Sequence, residues 1–169
     1  MTDAAPPPPA AAAGAEPWRA RCADSFARQG LMRHLGASVA FPARGVCEVR
    51  LPRRAEVMQQ HGHVHGGAVG AVADTAMGYA AFSLMPEDAA VVSVEYKISF
   101  LRPARGAWLL ARARVVKPGR TLVFVAADLV AVDAEGREAA CATATGTMMC
   151  LAGAGDAMIP DAPGTVPPP

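Results

Sequence analysis

One carboxylate stands alone in the most apolar stretch of the chain. Asp74 is the single charged residue among the 21 residues from Gly66 to Pro86. A carboxylate in such a setting can act as a general base or a nucleophile, and it can also be purely structural when a hydroxyl or backbone group satisfies it. A membrane span is disfavoured, because a central carboxylate in lipid costs roughly a few kcal/mol. On the helical face that carries Asp74, very small residues recur at spacings of three and four: Gly67, Gly70, Ala71, Gly78 and Ala81.

The segment just before this run, MQQHGHVHGG, carries further polar groups. Three histidines alternate in it, at His61, His63 and His65. They could share one face and hold zinc, but no carboxylate or cysteine completes the set at short spacing, so no metal is expected. Gly66 and Gly67 can form a tight turn into a helix, or they can let a ligand approach the helix-start N–H groups that stabilise an oxyanion. With the amide of Gln59, the pattern predicts a hydrolytic site, and the lack of a Gly-x-Ser-x-Gly motif disfavours a serine hydrolase.

The elements that must position these groups follow from periodicity and turn residues. The apolar run predicts a buried helix over 66–84, and an amphipathic helix is predicted over 18–35, ending at Gly36. Strands are predicted over 37–41, 45–52, 91–101, 107–116, 121–132 and 138–150. Short, turn-rich connectors allow successive strands to pair as an antiparallel meander. The predicted fold class is α+β, with a strongly curved antiparallel sheet wrapped around one long central helix and an extra N-terminal helix.

Composition bounds the organisation of the 169-residue chain. Residues 1–17 and 152–169 are rich in Ala, Gly and Pro and are expected to be disordered tails around one folded domain, 18–151. The formal net charge of +1 argues against nucleic acid as a partner. No membrane association and no secretory signal are expected. The four cysteines form no CxxC pair and are expected to be reduced thiols in a cytoplasmic protein.

The stretch QQHGHVHGGAVGAVAD, from Gln59 through Asp74, resembles the signature of the hotdog-fold acyl-CoA thioesterases, in particular the phenylacetate-degradation type. The shared pattern is an amide residue, a His-Gly-Gly six positions later, and an acid nine positions after that histidine. The segments VVSVEYKISFLRPA at 91–104 and VVKPGRTLVFVAADL at 115–129 extend the resemblance, which covers roughly residues 30–150. Many members of this type carry Asn where Gln59 stands, while Gln occurs there in 4-hydroxybenzoyl-CoA thioesterases.

The resemblance implies hydrolysis of an acyl- or aryl-CoA thioester to free acid and CoA. Asp74 would attack the thioester carbonyl or activate the attacking water, and the sequence leaves both mechanisms open. The Gly66 N–H would polarise the carbonyl, and Gln59 would orient the thioester or the water. In this family the pocket forms between two subunits of a dimer, and dimers pair into tetramers. Asp74 would then work with Gln59 and Gly66 of the partner subunit.

Three further residues are assigned to the acyl substrate through the same resemblance. His65 would position the loop, Gly67 would accompany it at the helix start, and Ser93 would line the acyl pocket or the water site. No separate cofactor is implied, because coenzyme A enters as part of the substrate.

A basic stretch suggests where coenzyme A would bind. Residues 96–127 hold seven Lys or Arg and no acid, while the rest of the chain holds nine basic and fifteen acidic residues. The phosphates of coenzyme A require such cations and backbone N–H donors. Turns flanking the predicted site supply the candidates Arg102, Lys117, Gly119 and Arg120. Two other functions stay open: a hotdog hydratase or dehydratase acting on CoA thioesters, and a non-catalytic acyl-CoA-binding module.

Overall fold

The computed structural model describes residues 16–156. The tails predicted at 1–17 and 152–169 therefore lie mostly outside the described residues. The helices are α1 (Pro17–Ala27), α2 (Gly30–Leu35) and α3 (Gly66–Phe82), with a short 3-10 turn at Ala55–Val57. The strands are β1 (Ser38–Ala43), β2 (Val46–Pro52), β3 (Ala90–Phe100), β4 (Trp108–Lys117), β5 (Leu122–Val132) and β6 (Glu138–Leu151).

The strands form one antiparallel six-stranded sheet in the order β1-β2-β4-β5-β6-β3. The prediction that all successive strands pair as a meander is wrong at β3, which pairs with β6 and not with β4. The reason is that both edges of β4 are occupied, one by β2 and the other by β5. β3 therefore takes the free edge of β6, and its own second edge is unpaired among the described strands.

Helix α3 packs against the concave face of the sheet and contacts every strand from β2 to β6. At its centre Val72, Ala73, Ala76 and Met77 are completely buried, and the strands meet it with small and branched apolar side chains. Small residues on the sheet let the helix axis lie close to the strands, which favours a curved sheet over a flat one. The predicted α+β architecture, a curved antiparallel sheet around one long helix with an N-terminal helical extension, is confirmed.

The N-terminal extension consists of two helices and not of the single helix predicted over 18–35. α1 ends at Ala27, and Gln29 adopts an extended conformation with ψ 110° before α2 begins at Gly30. The break lets Phe26 and Met32 both reach the core, although they lie on either side of it. Gly36 ends α2 at φ +69°, a left-handed conformation that favours glycine.

The end of the described chain folds back onto the domain. The Gly155 N–H donates to the Asp88 carbonyl at 2.9 Å. An Arg28 guanidinium nitrogen lies 2.5 Å from an Asp156 carboxylate oxygen. These contacts hold residues 152–156 beside the N-terminal helices, within the region predicted as a tail.

Candidate active site

Asp74 lies in the middle of α3, half-buried, where β3 faces the helix. The Ser93 hydroxyl donates a hydrogen bond of 2.6 Å to Oδ1 of this carboxylate. A short bond to an ionised acceptor is among the stronger hydrogen bonds in proteins, so it fixes the direction of the carboxylate. The residue predicted to line the acyl pocket or water site therefore contacts the predicted nucleophile or base directly.

A β-bulge in β3 explains why Ser93 faces the helix. The sequence alternates cleanly and predicts that Ser93 lies on the face opposite Tyr96 and Ile98. In the structure the pairing with β6 shifts by one residue between Ser93 and Glu95, so Val94 is the extra residue. Ser93, Tyr96 and Ile98 consequently share the α3-facing side. Bulges re-aim side chains in this way beside functional sites.

The loop before α3 forms a small hairpin that presents Gln59. Met58 and Val64 form an isolated antiparallel bridge, and the Gln59 N–H donates to the His63 carbonyl at 2.8 Å. The Gln59 side-chain oxygen accepts a hydrogen bond from the His61 N–H. This contact orients the amide and leaves its nitrogen as the group that can meet a ligand.

His65 caps the start of α3. Its Nδ1 accepts a 2.9 Å hydrogen bond from the Gly67 N–H, and its own N–H donates to the Val57 carbonyl at 2.8 Å. A Cβ at residue 67 would lie 3.0 Å from this nitrogen, so glycine leaves room for the cap. Gly66 is the first helical residue, and its N–H therefore has no acceptor within α3.

The predicted residues divide between two cavities of the chain. Gln59 and Gly66 line a cavity of about 390 Å³ together with Phe100 and Arg102. Asp74 and Ser93 line another of about 310 Å³. Gly66 and Asp74 are eight residues apart on α3, which corresponds to about 12 Å along the helix axis. One chain alone therefore does not bring the carboxylate and the helix-start N–H to the same carbonyl.

The predicted coenzyme A residues are also split in one chain. Arg102 lies beside the beginning of β6, where its N–H donates to the Cys141 carbonyl. The turn after β4 lies beside the end of β6, where the Thr121 carbonyl accepts a hydrogen bond from the Cys150 N–H. Cys141 and Cys150 are nine residues apart along β6, about 30 Å of extended chain. Three of the predicted residues, Lys117, Gly119 and Arg120, lie at that far end.

The turn at that far end requires a glycine. A Cβ at Gly119 would lie 2.1 Å from the Leu122 carbonyl oxygen, and Gly119 and Arg120 line a cavity of about 320 Å³.

Sequence reasoning missed three polar residues in the cavity beside Asp74. Ser25 of α1, Gln29 between the helices and Tyr79 of α3 all line it. The Ser25 and Tyr79 hydroxyls are 3.0 Å apart, and the Gln29 amide nitrogen donates to the Tyr79 oxygen at 3.3 Å. Burial raises the pKa of Tyr79 to about 12, so the group is a neutral hydroxyl at neutral pH. The sequence carried no local signal for this cluster, because Tyr79 is 50 or more positions from the other two residues.

The three alternating histidines do not converge. His65 caps α3, while His63 Nδ1 lies 3.4 Å from the Arg105 Nε and His61 Nε2 lies 3.4 Å from the Gln60 amide nitrogen. Within residues 16–156, no three His, Cys, Asp or Glu side chains are grouped as metal ligands. The four cysteines are buried free thiols. None of the described helices has the length and apolarity that a membrane crossing requires.

Comparison with known proteins agrees with this architecture. Residues 61–138 match the Thioesterase superfamily. A Halobacterium salinarum protein described as a candidate esterase is 37% identical over 121 residues, covering 66% of this chain and 79% of that protein. The crystal structure of a thioesterase family protein from Silicibacter pomeroyi is 48% identical, with a TM-score of 0.78, and the match covers 80% of this chain and 99% of that one.

A more distant structure bears on the predicted type. The E. coli PaaI protein, from the phenylacetic acid degradation operon, is 23% identical with a TM-score of 0.70, covering 80% of this chain and 94% of that one. This likeness shows the shared fold. The chain belongs to the thioesterase superfamily, and the predicted resemblance to hotdog-fold thioesterases is confirmed. The relatives of this chain support a hydrolase of the thioesterase type.

Proposed function

We propose that this protein hydrolyses an acyl- or aryl-CoA thioester to the free acid and CoA, in the cytoplasm and as a homo-oligomer. The observation that carries the proposal is the Asp74 carboxylate, oriented by Ser93 inside a cavity that an acyl group can fill. Membership of the thioesterase superfamily supports thioester hydrolysis in general, and the basic stretch in 96–127 supports CoA as the thiol.

Two chemical routes are compatible with this carboxylate. In one, an Asp74 oxygen attacks the thioester carbon, the C–S bond breaks, CoA leaves as the thiolate, and water then hydrolyses the mixed anhydride. In the other, Asp74 takes a proton from water, the resulting hydroxide attacks the same carbon, and the C–S bond then breaks so that CoA leaves as the thiolate. Both routes place negative charge on the carbonyl oxygen. The Gly66 N–H at the positive end of α3 would stabilise that charge, and Gln59 would orient the thioester or the water.

A second copy of the chain would complete the site. β3 is an edge strand whose apolar residues Val92, Val94 and Tyr96 are exposed in the single chain, a surface typical of a protein interface. In such a dimer, the two α3 helices would run antiparallel about a twofold axis near Gly70. Gly70 is midway between residues 66 and 74, so this axis would set Asp74 of one chain beside Gly66 of the partner subunit. Gln59 of the partner subunit would lie at the same place. We propose such dimers, which pair further into tetramers.

The same pairing would also unite the predicted coenzyme A residues. Antiparallel pairing of two β3 edges brings the end of one strand near the beginning of the other. Arg102 follows the end of β3, whereas the turn carrying Lys117 and Arg120 lies beside the far end of β6, where β3 begins. Cations from both chains would then face one set of phosphates.

Thiol release from a panel of acyl- and aryl-CoA esters tests the proposal. We expect the wild-type protein to release CoA and the Asp74→Asn variant to lose at least about 1,000-fold in kcat/KM, because a neutral amide can neither attack nor take the proton. Asp128→Asn, which removes an exposed carboxylate on β5, is the matched control and should keep full turnover. Full turnover by Asp74→Asn, with unchanged folding, would refute the assignment.

The same panel separates the other two functions. Hydration of crotonyl-CoA without thiol release would point to a hydratase. Tight CoA-ester binding with neither reaction would point to a binding module.

A further inference from the structure

The last described residues of the chain, 152–156, reach the cavity beside Asp74. The chain leaves β6 at Leu151, and the Asp156 side chain lines this cavity together with Asp74 and Tyr79. We infer that residues 152–156 form a strap across the end of the cavity away from Asp74, and that the strap limits the length of the acyl group. The inference rests on the proposed function, because it concerns the acyl half of the same substrate.

Two glycines give the strap its path. Gly153 and Gly155 have φ values of +71° and +65°, in the left-handed region that favours glycine. The Ala154 N–H donates to the Leu151 carbonyl at 3.3 Å, and the Gly155 N–H donates to the Asp88 carbonyl at 2.9 Å. The chain therefore turns at the end of β6 and is held beside the loop that precedes β3.

One arginine holds the end of the strap against the N-terminal helices. The same guanidinium nitrogen of Arg28 donates to the Asp156 carboxylate at 2.5 Å and to the Asp156 carbonyl at 2.8 Å. Arg28 is the C-cap of α1, so the contact joins the strap to the break between α1 and α2. Hydrogen bonds between ionised groups are stronger than neutral ones. Two contacts from one side chain therefore fix the position of Asp156.

The strap lies at the end of the cavity away from Asp74. Tyr79 follows Asp74 by five residues on α3, which is about 7.5 Å along the helix axis. Arg28, which binds Asp156, is adjacent in the chain to Gln29, and the Gln29 amide donates to the Tyr79 oxygen at 3.3 Å. An acyl chain that starts at Asp74 would therefore reach the strap after about six carbon–carbon bonds.

The strap closes the cavity with an ion pair, although much of the lining is apolar. Met32, Ala71 and Val91 contribute apolar side chains to this lining. The Arg28 and Asp156 side chains are partly exposed to solvent. A longer apolar acyl chain would have to press against these charges or displace Asp156 from Arg28, and both cost free energy.

Pairs of short and long substrates test the inference in the full-length protein. The aliphatic pair is hexanoyl-CoA against decanoyl-CoA, and the aromatic pair is phenylacetyl-CoA against 6-phenylhexanoyl-CoA. In every pair from which the wild type releases thiol, we expect kcat/KM to favour the shorter member by at least about tenfold.

Variants of the ion pair should weaken this preference. Arg28→Ala and Asp156→Ala should each reduce it at least about threefold, because the strap is then free to move aside. Arg28→Asp combined with Asp156→Arg reverses the pair and should restore part of the preference, which a general loosening of the fold would not do. Asp24→Asn, which removes an exposed carboxylate of α1 outside the cavity, is the control and should leave the preference unchanged.

Amide hydrogen exchange gives a readout that does not depend on turnover. The Gly155 N–H is bonded to the Asp88 carbonyl, so a strap held in place protects it from exchange. In Arg28→Ala this amide should exchange at least about tenfold faster, while the amides of α3 keep their rates.

The outcomes separate the inference from the proposed function. Equal kcat/KM values within both pairs, or a preference and a Gly155 exchange rate that are unchanged in Arg28→Ala, would overturn the strap and leave the hydrolase intact. No thiol release from any ester would overturn both.

Discussion

Ser93 and Asp74 join the edge strand to the central helix through a 2.6 Å hydrogen bond from the serine hydroxyl to Oδ1. The bond exists because a one-residue bulge turns Ser93 towards α3. The serine orients the carboxylate, and the carboxylate would act as the nucleophile or the base. A strand that also forms the exposed edge of the sheet therefore supports the proposed site.

Loss of this bond should slow the reaction more than it weakens substrate binding. Hydrogen bonds to a charged group contribute about 1.5–3 kcal/mol, so Ser93→Ala should lower kcat about 10- to 100-fold with a small change in KM. Steady-state thiol release measures this. Ser99→Ala, on the opposite face of β3, is the matched control. Equal kcat values for Ser93→Ala and the wild type would show that the carboxylate needs no such support.

The cap at the start of α3 gives a prediction about stability. His65→Ala removes the side-chain acceptor of the Gly67 N–H and should lower the free energy of unfolding by about 1 kcal/mol. His65→Asn supplies another good capping acceptor and should restore most of that loss. Chemical denaturation of the three proteins provides the comparison. If the alanine and asparagine variants were equally destabilised, the cap would not be the role of this side chain.

Alkaline pH should destabilise the fold through buried groups whose pKa is raised, among them Tyr79 and the thiols of Cys22 and Cys47. Burial raises the pKa of Tyr79 to about 12 and that of the Cys22 thiol to about 11, from ordinary values of 10.0 and 9.0. The unfolded chain therefore loses these protons first. The contribution of these groups to the free energy of unfolding should be constant below pH 9 and should fall as pH rises from 9 through 12.

Denaturation curves between pH 8 and pH 11 measure this fall. In Tyr79→Phe the decrease above pH 10 should be smaller, since one of the buried groups that lose a proton in this range is gone. A stability that rises over this range would contradict the assignment.

The long helix and the strands were predictable because their signals are local. The apolar run at Gly66–Phe82 contains no proline and a single charge, and alternation marks β2 and β3 clearly. The His-Gly-Gly to Asp74 spacing located the proposed site before any geometry was known. The coarse architecture of the fold therefore followed from periodicity, and the location of the proposed site followed from one motif.

The features that sequence reasoning missed depend on tertiary pairing. The bulge at Val94 is invisible in the sequence, because Val92, Val94 and Tyr96 alternate without interruption, and only the register with β6 displaces them. The break at Gln29 serves the burial of residues on both sides of it. The cluster of Gln29 and Tyr79 joins residues 50 positions apart, which no local pattern reveals.

We propose a site shared between subunits, in which Asp74 of one chain acts together with Gln59 and Gly66 of its partner subunit. A hybrid dimer tests it most directly: one chain carries Asp74→Asn, the other carries Gln59→Ala, and different affinity tags allow purification of the mixed species. If the sites are shared between chains, one of the two sites in the hybrid has both variant residues and the other has both native residues. About half of the wild-type thiol-release activity should therefore return. If each chain builds its own site, both sites are damaged, and a hybrid no more active than the two parent variants would contradict the shared site.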